Sequence, residues 1–365
     1  MFPNTFTQIV LRERPVADIL PDTFESKTKA FDELHVGQNQ ALVQVTYLSL
    51  DPAMRGWIRD TRSYLPPVKI GEVMRSGGLG VVVSVGEGSK FRKGDLVYGM
   101  FGASARTLVL FPSLVLMLCA GWTEYAVAND KSMEKISPPP GATSLDFLNT
   151  LGMTGMTAYF GLHHVGQLKA GETLVVSGAA GAVGSLVCQL GKKAGARVIG
   201  IAGTPDKCSW LEGDLGVDKA LNYKSPTFRQ DFVEAVGYLD VYFDNVGGEI
   251  LELALSRLNR HARIVLCGGI SAYNDPQPKG IKGHLNIVSQ RAKMQGFVVF
   301  DYAEQYAVAV KEIAAGLADG SIKSKFHIVE GLQNAPSALP MLYSGANVGK
   351  LVVKVSDEPS ISSKL

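Results

Sequence analysis

From Thr173 to Gly268 the chain alternates short apolar runs with longer stretches in which apolar residues recur every third or fourth position. The runs are TLVVSG (173–178), RVIGIA (197–202), LDVYFDN (239–245) and ARIVLCG (262–268). Their length, their Val and Ile content and their glycine boundaries predict strands, and the segment from Ala182 to about Ala194 predicts a helix. Strands that alternate with helices imply a parallel sheet covered on both faces. The expected fold class is therefore α/β, a Rossmann-type doubly wound parallel sheet.

Before this region the pattern changes. ALVQVTYLSL (41–50), GGLGVVVSVGEG (77–88), GDLVYGMFG (94–102) and TEYAVA (123–128) read as short strands with tight glycine corners, as in a small barrel. Pro138–Pro140 mark a break, and helical patterning starts near Leu145. The expected division is a β-rich domain over 1–144, a nucleotide-binding domain over 145–320, a segment over 321–357 that returns to strand, helix and strand, and a polar tail over 358–365.

The most informative chemistry sits where TLVVSG runs into AAGAVGS. Ala180, Gly181, Val183 and Gly184 put small side chains where backbone must approach a pyrophosphate, and the following helix directs its first amides at the negative charge. The second strand ends in Gly203-Thr204-Pro205-Asp206-Lys207, with no carboxylate at its tip. An acid there would bond the ribose hydroxyls of NAD and repel a 2′-phosphate, whereas Lys207 and Tyr223 would attract one, so the expected cofactor is NADP(H). Tyr223 could instead be a packed aromatic.

Composition removes several alternatives. At 365 residues the chain has room for two cores, and a net charge of +2 without basic clusters gives no footprint for nucleic acid. Cys119, Cys188, Cys208 and Cys267 have neither disulfide-framework nor metal-finger spacing, which fits a reducing compartment. The six histidines show no metal-ligand spacing, and His163-His164 read as cap or surface residues. The longest apolar run, Leu108 to Ala120, is too short to span a bilayer and contains Pro112, so no membrane span is expected. The final Ser363-Lys364-Leu365 matches a peroxisomal import address, so the expected location is peroxisomal, through the import receptor, or cytoplasmic.

Taken together, LSLDPAMRGW (48–57), IGEVMRSGGLG (70–80), GWTEYAV (121–127), LGMTGMTAYFGL (151–162), SGAAGAVGS (177–185), LNYK (221–224), DNVGG (244–248), CGGISAYN (267–274) and GANVGKLVVKV (345–355) resemble the medium-chain dehydrogenase/reductases. The likeness is to their zinc-free branch of prostaglandin, alkenal double-bond and curcumin reductases. The resemblance implies a GroES-like barrel catalytic domain completed by the C-terminal segment, a cofactor cleft at its junction with the Rossmann domain, and a homodimer. It also implies NADPH-dependent reduction of the carbon-carbon double bond of an enal or enone. Tyr273 would meet the developing enolate with the cofactor ribose, Lys207 and Tyr223 would face the 2′-phosphate, and Asn245, Gly269 and Asn347 would follow the path from adenosine to nicotinamide. Tyr47, Arg55 and Met74 would line the substrate cleft. Several of these positions have plainer readings: Asn245 and Asn347 as turn residues that bond backbone, Tyr273 as a loop anchor, and Arg55 as a loop clamp through an ion pair.

Catalytic zinc is not expected, because the matching stretches offer Asp51-Pro52 and Gly71-Glu72, with neither Cys nor His. Without a Lewis acid, alkene reduction is easier to support than alcohol oxidation. A zinc-free quinone reductase, a tailoring reductase of a biosynthetic pathway and a non-catalytic NADPH-binding protein remain as alternatives. Two departures from the family pattern stand out. Ala53 follows Asp-Pro where many members carry Tyr. In addition, an apolar insert over 103–121 separates FG from WTEYAV, and its removal restores an uninterrupted FGWTEYAV, as expected of an unremoved intron; a native insert would be an apolar loop.

Overall fold

The computed structural model describes residues 2–99 and 120–357. The insert, with the intron reading attached to it, and the SKL tail lie outside the described residues, apart from Ala120 and Gly121, which form a short strand.

The nucleotide-binding domain holds six strands: β1 (Thr173–Val176), β2 (Arg197–Ala202), β3 (Lys219–Asn222), β4 (Leu239–Asp244), β5 (Leu258–Leu266) and β6 (Lys293–Gly296). All pair in parallel, in the order β3-β2-β1-β4-β5-β6. Alternation along each strand divides the core between the two faces of the sheet. Leu174, Val176, Val198, Val241, Phe243 and Val265 pack on one face, and Val175, Ile199, Ile201, Tyr242 and Ile264 on the other. The strand order reverses between β1 and β4, and this reversal opens a crevice at their carboxyl ends. Two strands escape the sequence reading, β3 and β6, because KALN and KMQG are short and carry little apolar signal. β5 also begins four residues earlier than ARIVLCG predicts and ends at Leu266.

The second domain is built around the long strand Gln40–Ser49, which pairs with Gly78–Val85 on one edge and with Tyr125–Asn129 and Lys350–Lys354 on the other. Register shifts near Val43 and between Val45 and Tyr47 bend it, so that the sheet curls around Val43, Val45, Leu48, Val82 and Trp122. Phe326–Glu330 and Lys350–Lys354 join this sheet, which brings the C-terminal segment into the N-terminal domain. A hairpin of Thr5–Leu11 and Phe24–Ala30, not anticipated from the sequence, flanks it. Among the described residues no helix is long and apolar enough to cross a membrane, and Cys188, Cys208 and Cys267 are free thiols.

Candidate active site

A cavity of about 420 Å³ lies at the junction of the two domains, within the size range of small-molecule sites. One of its walls is backbone. After β1, Gly178 turns the chain with φ of +59°, and Gly181 N–H closes the turn on Gly178 O at 3.0 Å. The helix Ala182–Lys193 then begins, with Ala180, Gly181, Ala182, Val183 and Gly184 facing the cavity. Its first amides lack partners within the helix and carry partial positive charge, which suits an anion. Gly184 is dictated by packing, since a Cβ there would lie 2.3 Å from Gly178 O and 2.8 Å from Ala179 Cα. The C-terminal segment closes over the same turn, where Gly349 N–H donates to Ala180 O at 2.9 Å.

Beyond this turn lies the corner formed by Gly203, Lys207, Tyr223 and Gly345. Thr204 caps the helix Pro205–Gly213 by accepting from Lys207 N–H, and Lys207 Nζ donates to Gly345 O at 2.7 Å. Burial, and then the neighbouring Lys224, lower the pKa of Lys207. Tyr223 is 40% exposed and forms part of the cavity wall rather than the core. Its ring lies so close to Gly203 that a Cβ there would sit 2.9 Å from Cε1. No carboxylate lines this corner among the described residues. The Lys207 ammonium, with Lys224 behind it, the Tyr223 phenol and bare backbone thus form a place that fits a ribose bearing a 2′-phosphate.

Asn245 and Asn347 both line the cavity, and both spend their Nδ2 groups on backbone. Asn245 reaches Ser177 O at 2.7 Å and ties β4 to β1, whereas Asn347 bonds Gly349 O within its own turn at 3.0 Å. Gly269, expected along the cofactor path, lies between two cavity-lining residues, Gly268 and Ile270. Gly268 lines the cavity, while Gly269 N–H donates to Tyr273 Oη at 3.3 Å. Tyr273 itself opens onto the cavity, and burial raises its pKa above the ordinary tyrosine value despite the opposing Gly269 bond. Its hydroxyl therefore accepts from Gly269 and keeps a proton to donate.

The three residues expected in the substrate cleft lie elsewhere. Met74 is fully buried in the core of the catalytic domain. Tyr47 packs beside Leu79, Ile136, Leu148 and Val352, because its strand register turns it to that side. Arg55 is 1% exposed and clamps a loop, but through hydrogen bonds to the carbonyls of Pro15 and Ala17 and to Asn274 rather than an ion pair.

The model described as "N-terminal domain of oxidoreductase" matches residues 7–115, and that described as "Zinc-binding dehydrogenase" matches 182–315. The chain is 35% identical to the NADPH-dependent curcumin reductase of Escherichia coli over 356 residues, 96% of each chain. It is 36% identical to the NADP(+)-dependent 2-alkenal reductase of Nicotiana tabacum over 329 residues, 88% of this chain and 89% of that one. The solved structure of CurA from Vibrio vulnificus in complex with NADPH superposes with a TM-score of 0.86 at 36% identity, covering 96% of this chain and 99% of that chain. The chain belongs to the zinc-independent branch of the medium-chain dehydrogenase/reductases.

Among the described residues no group of three or more His, Cys, Asp and Glu is placed to hold a metal. His164 is exposed, and the His163 ring packs against Tyr159 at 4.5 Å between centroids, tilted by 52°, with its Nε2 buried and unpartnered among the described residues. The wall opposite the phosphate turn is made of side chains that sequence reasoning missed. Trp57, Tyr64, Leu65, Phe300 and Tyr343 come from four separate stretches of the chain. Trp57 Nε1 donates to Tyr64 Oη at 3.4 Å, and Tyr64 meets Phe300 edge to face at 5.9 Å. Lys350, 1% exposed, pairs with Asp51 and donates to Leu50 O at 3.3 Å, and Ser49 Oγ donates to Asp51. The only local signal for this wall was LSLDPAMRGW, which contains Ser49, Asp51 and Trp57.

Proposed function

We propose that this protein reduces the carbon-carbon double bond of α,β-unsaturated aldehydes or ketones with NADPH. The observation that carries this reading is that the phosphate turn, the Lys207–Tyr223 corner and the Tyr273 hydroxyl all open on one cavity with a largely apolar far wall. The relatives named for curcumin and 2-alkenal reduction support the same class.

NADPH, when bound, supplies a hydride. The amide groups at the start of Ala182–Lys193 would hold its pyrophosphate, and Lys207 and Tyr223 its 2′-phosphate. Hydride delivery to the β-carbon of an enone leaves charge on the carbonyl oxygen. Tyr273, protonated through the neutral range, donates to that oxygen, and Gly269 N–H strengthens the donor by bonding its lone pair. The aromatic wall holds the conjugated system flat and keeps bulk water out, while a water at the mouth delivers the α-proton. The reaction thus adds one hydride and one proton across the alkene.

The test is consumption of NADPH, run beside NADH, with a medium-chain 2-alkenal, an enone and a quinone, with products identified. A saturated aldehyde or ketone and a preference for NADPH are expected. Turnover of the quinone alone would replace this reading with that of a quinone reductase.

A further inference from the structure

Tyr273 belongs to the nucleotide-binding domain, yet it is gripped from the other one. Arg59 Nη2 donates to Tyr273 O at 2.5 Å, and Arg55 Nε donates to Asn274 Oδ1 at 3.0 Å. Asn274 Nδ2 in turn donates to Asp18 Oδ1 at 3.0 Å. Arg55 is 1% exposed, and its Nε and Nη2 donate to the Asn274 side-chain oxygen and to carbonyls of residues 15–17, while Nη1 has no hydrogen-bond partner among the described residues. The tyrosine follows a single 3₁₀ turn, Ile270–Ala272, and the chain after it is exposed from 275 to 282. Local structure alone therefore holds the ring weakly, and the strongest restraints on its backbone cross the domain junction.

We infer that Arg59, together with the Arg55–Asn274–Asp18 chain, is a positioning device that fixes the Tyr273 hydroxyl over the substrate carbonyl and couples its placement to the docking of the two domains. This inference rests on the reading of Tyr273 as the donor to the developing oxyanion. None of these four residues lines the cavity, so their effect passes through Tyr273. Arg59 is half-buried, which makes it replaceable without opening a core.

The experiment is a double-mutant cycle with Arg59→Met and Tyr273→Phe, read as kcat with a saturating 2-alkenal, alongside NADPH affinity by fluorescence. R59M is expected to lower kcat about 10-fold with NADPH affinity unchanged, R59K to recover most of the loss, and the double variant to be no slower than Y273F alone. Asn274→Ala, placed in the same cycle, gives the same pattern and serves if R59M does not fold. Additive losses, or a loss of NADPH affinity equal to the loss of kcat, would overturn the inference while leaving Tyr273 as the donor. Wild-type turnover by Y273F would instead remove the donor role, and the positioning device with it.

Discussion

The two walls of the cavity are made of different material. On the nucleotide side the surface is backbone, the Lys207 cation and the Tyr223 ring, and its shape comes from short stretches of consecutive residues, Gly178 to Gly184 and Gly203 to Lys207. On the substrate side it is aromatic side chains brought together from residues 57, 64, 300 and 343, with the buried Lys350 and its half-buried partner Asp51 beneath. A backbone wall fails when a single Cβ intrudes, because nothing there can rotate away. A side-chain wall changes shape and gives way gradually. Cofactor recognition should therefore respond to substitution abruptly, and substrate recognition by degrees.

The sharpest test of this contrast is Gly184→Val. The intruding side chain meets Gly178 O and Ala179 Cα, both backbone, so NADPH affinity should fall by about 3 kcal/mol, roughly 100-fold, in a fluorescence titration. Retained affinity would show that the turn can shift. Tyr273→Phe removes the side-chain donor to the oxyanion, and kcat should fall about 100-fold with little change in NADPH affinity. Because burial raises this tyrosine's pKa, a pH profile of kcat should show no alkaline loss attributable to it below about pH 10.

Lys207→Ala should cost about 2 kcal/mol, or roughly 30-fold, of NADPH affinity and leave NADH binding unaltered, which calorimetry with both cofactors would read. The charged lysine is the form that attracts phosphate, and burial depresses its pKa. In the wild type, preference for NADPH should accordingly decline with rising pH, starting below the usual lysine range; an unchanged preference would assign recognition to Tyr223 and Lys224. The smallest effect is expected for Phe300→Ala. Loss of its edge-to-face partnership with Tyr64 should raise KM for an aryl-substituted enone about 5-fold, roughly 1 kcal/mol, while KM for NADPH stays fixed.

The same division explains what could be read from the amino-acid order. β1, β2, β4 and the helix from Ala182 follow from apolar runs and glycine punctuation, and the phosphate turn is contiguous, so spacing alone exposes it. β3 and β6 escape because an edge strand in a twisted sheet needs little apolar content. The motifs place Met74 and Tyr47 in the cleft, but Met74 is drawn into the domain core, and for Tyr47 a strand turns alternate residues to opposite faces and the bend near Val45 decides which face it takes. Gly269 and Gly268 differ by one position, a distinction set by how the turn after β5 folds onto Tyr273. The Trp57, Tyr64 and Phe300 grouping depends on the docking of two domains, and no local pattern encodes that.

The central claim is that hydride reaches the β-carbon of a conjugated carbonyl in this cavity. NADPH carrying deuterium at its transferable position, reacted with an enone in ordinary water, tests it directly by mass spectrometry and NMR of the product. The account predicts a saturated ketone with one deuterium on the β-carbon and none on the α-carbon. Deuterium on the carbinol carbon of an unsaturated alcohol, or an untouched enone beside bound NADPH, would contradict it.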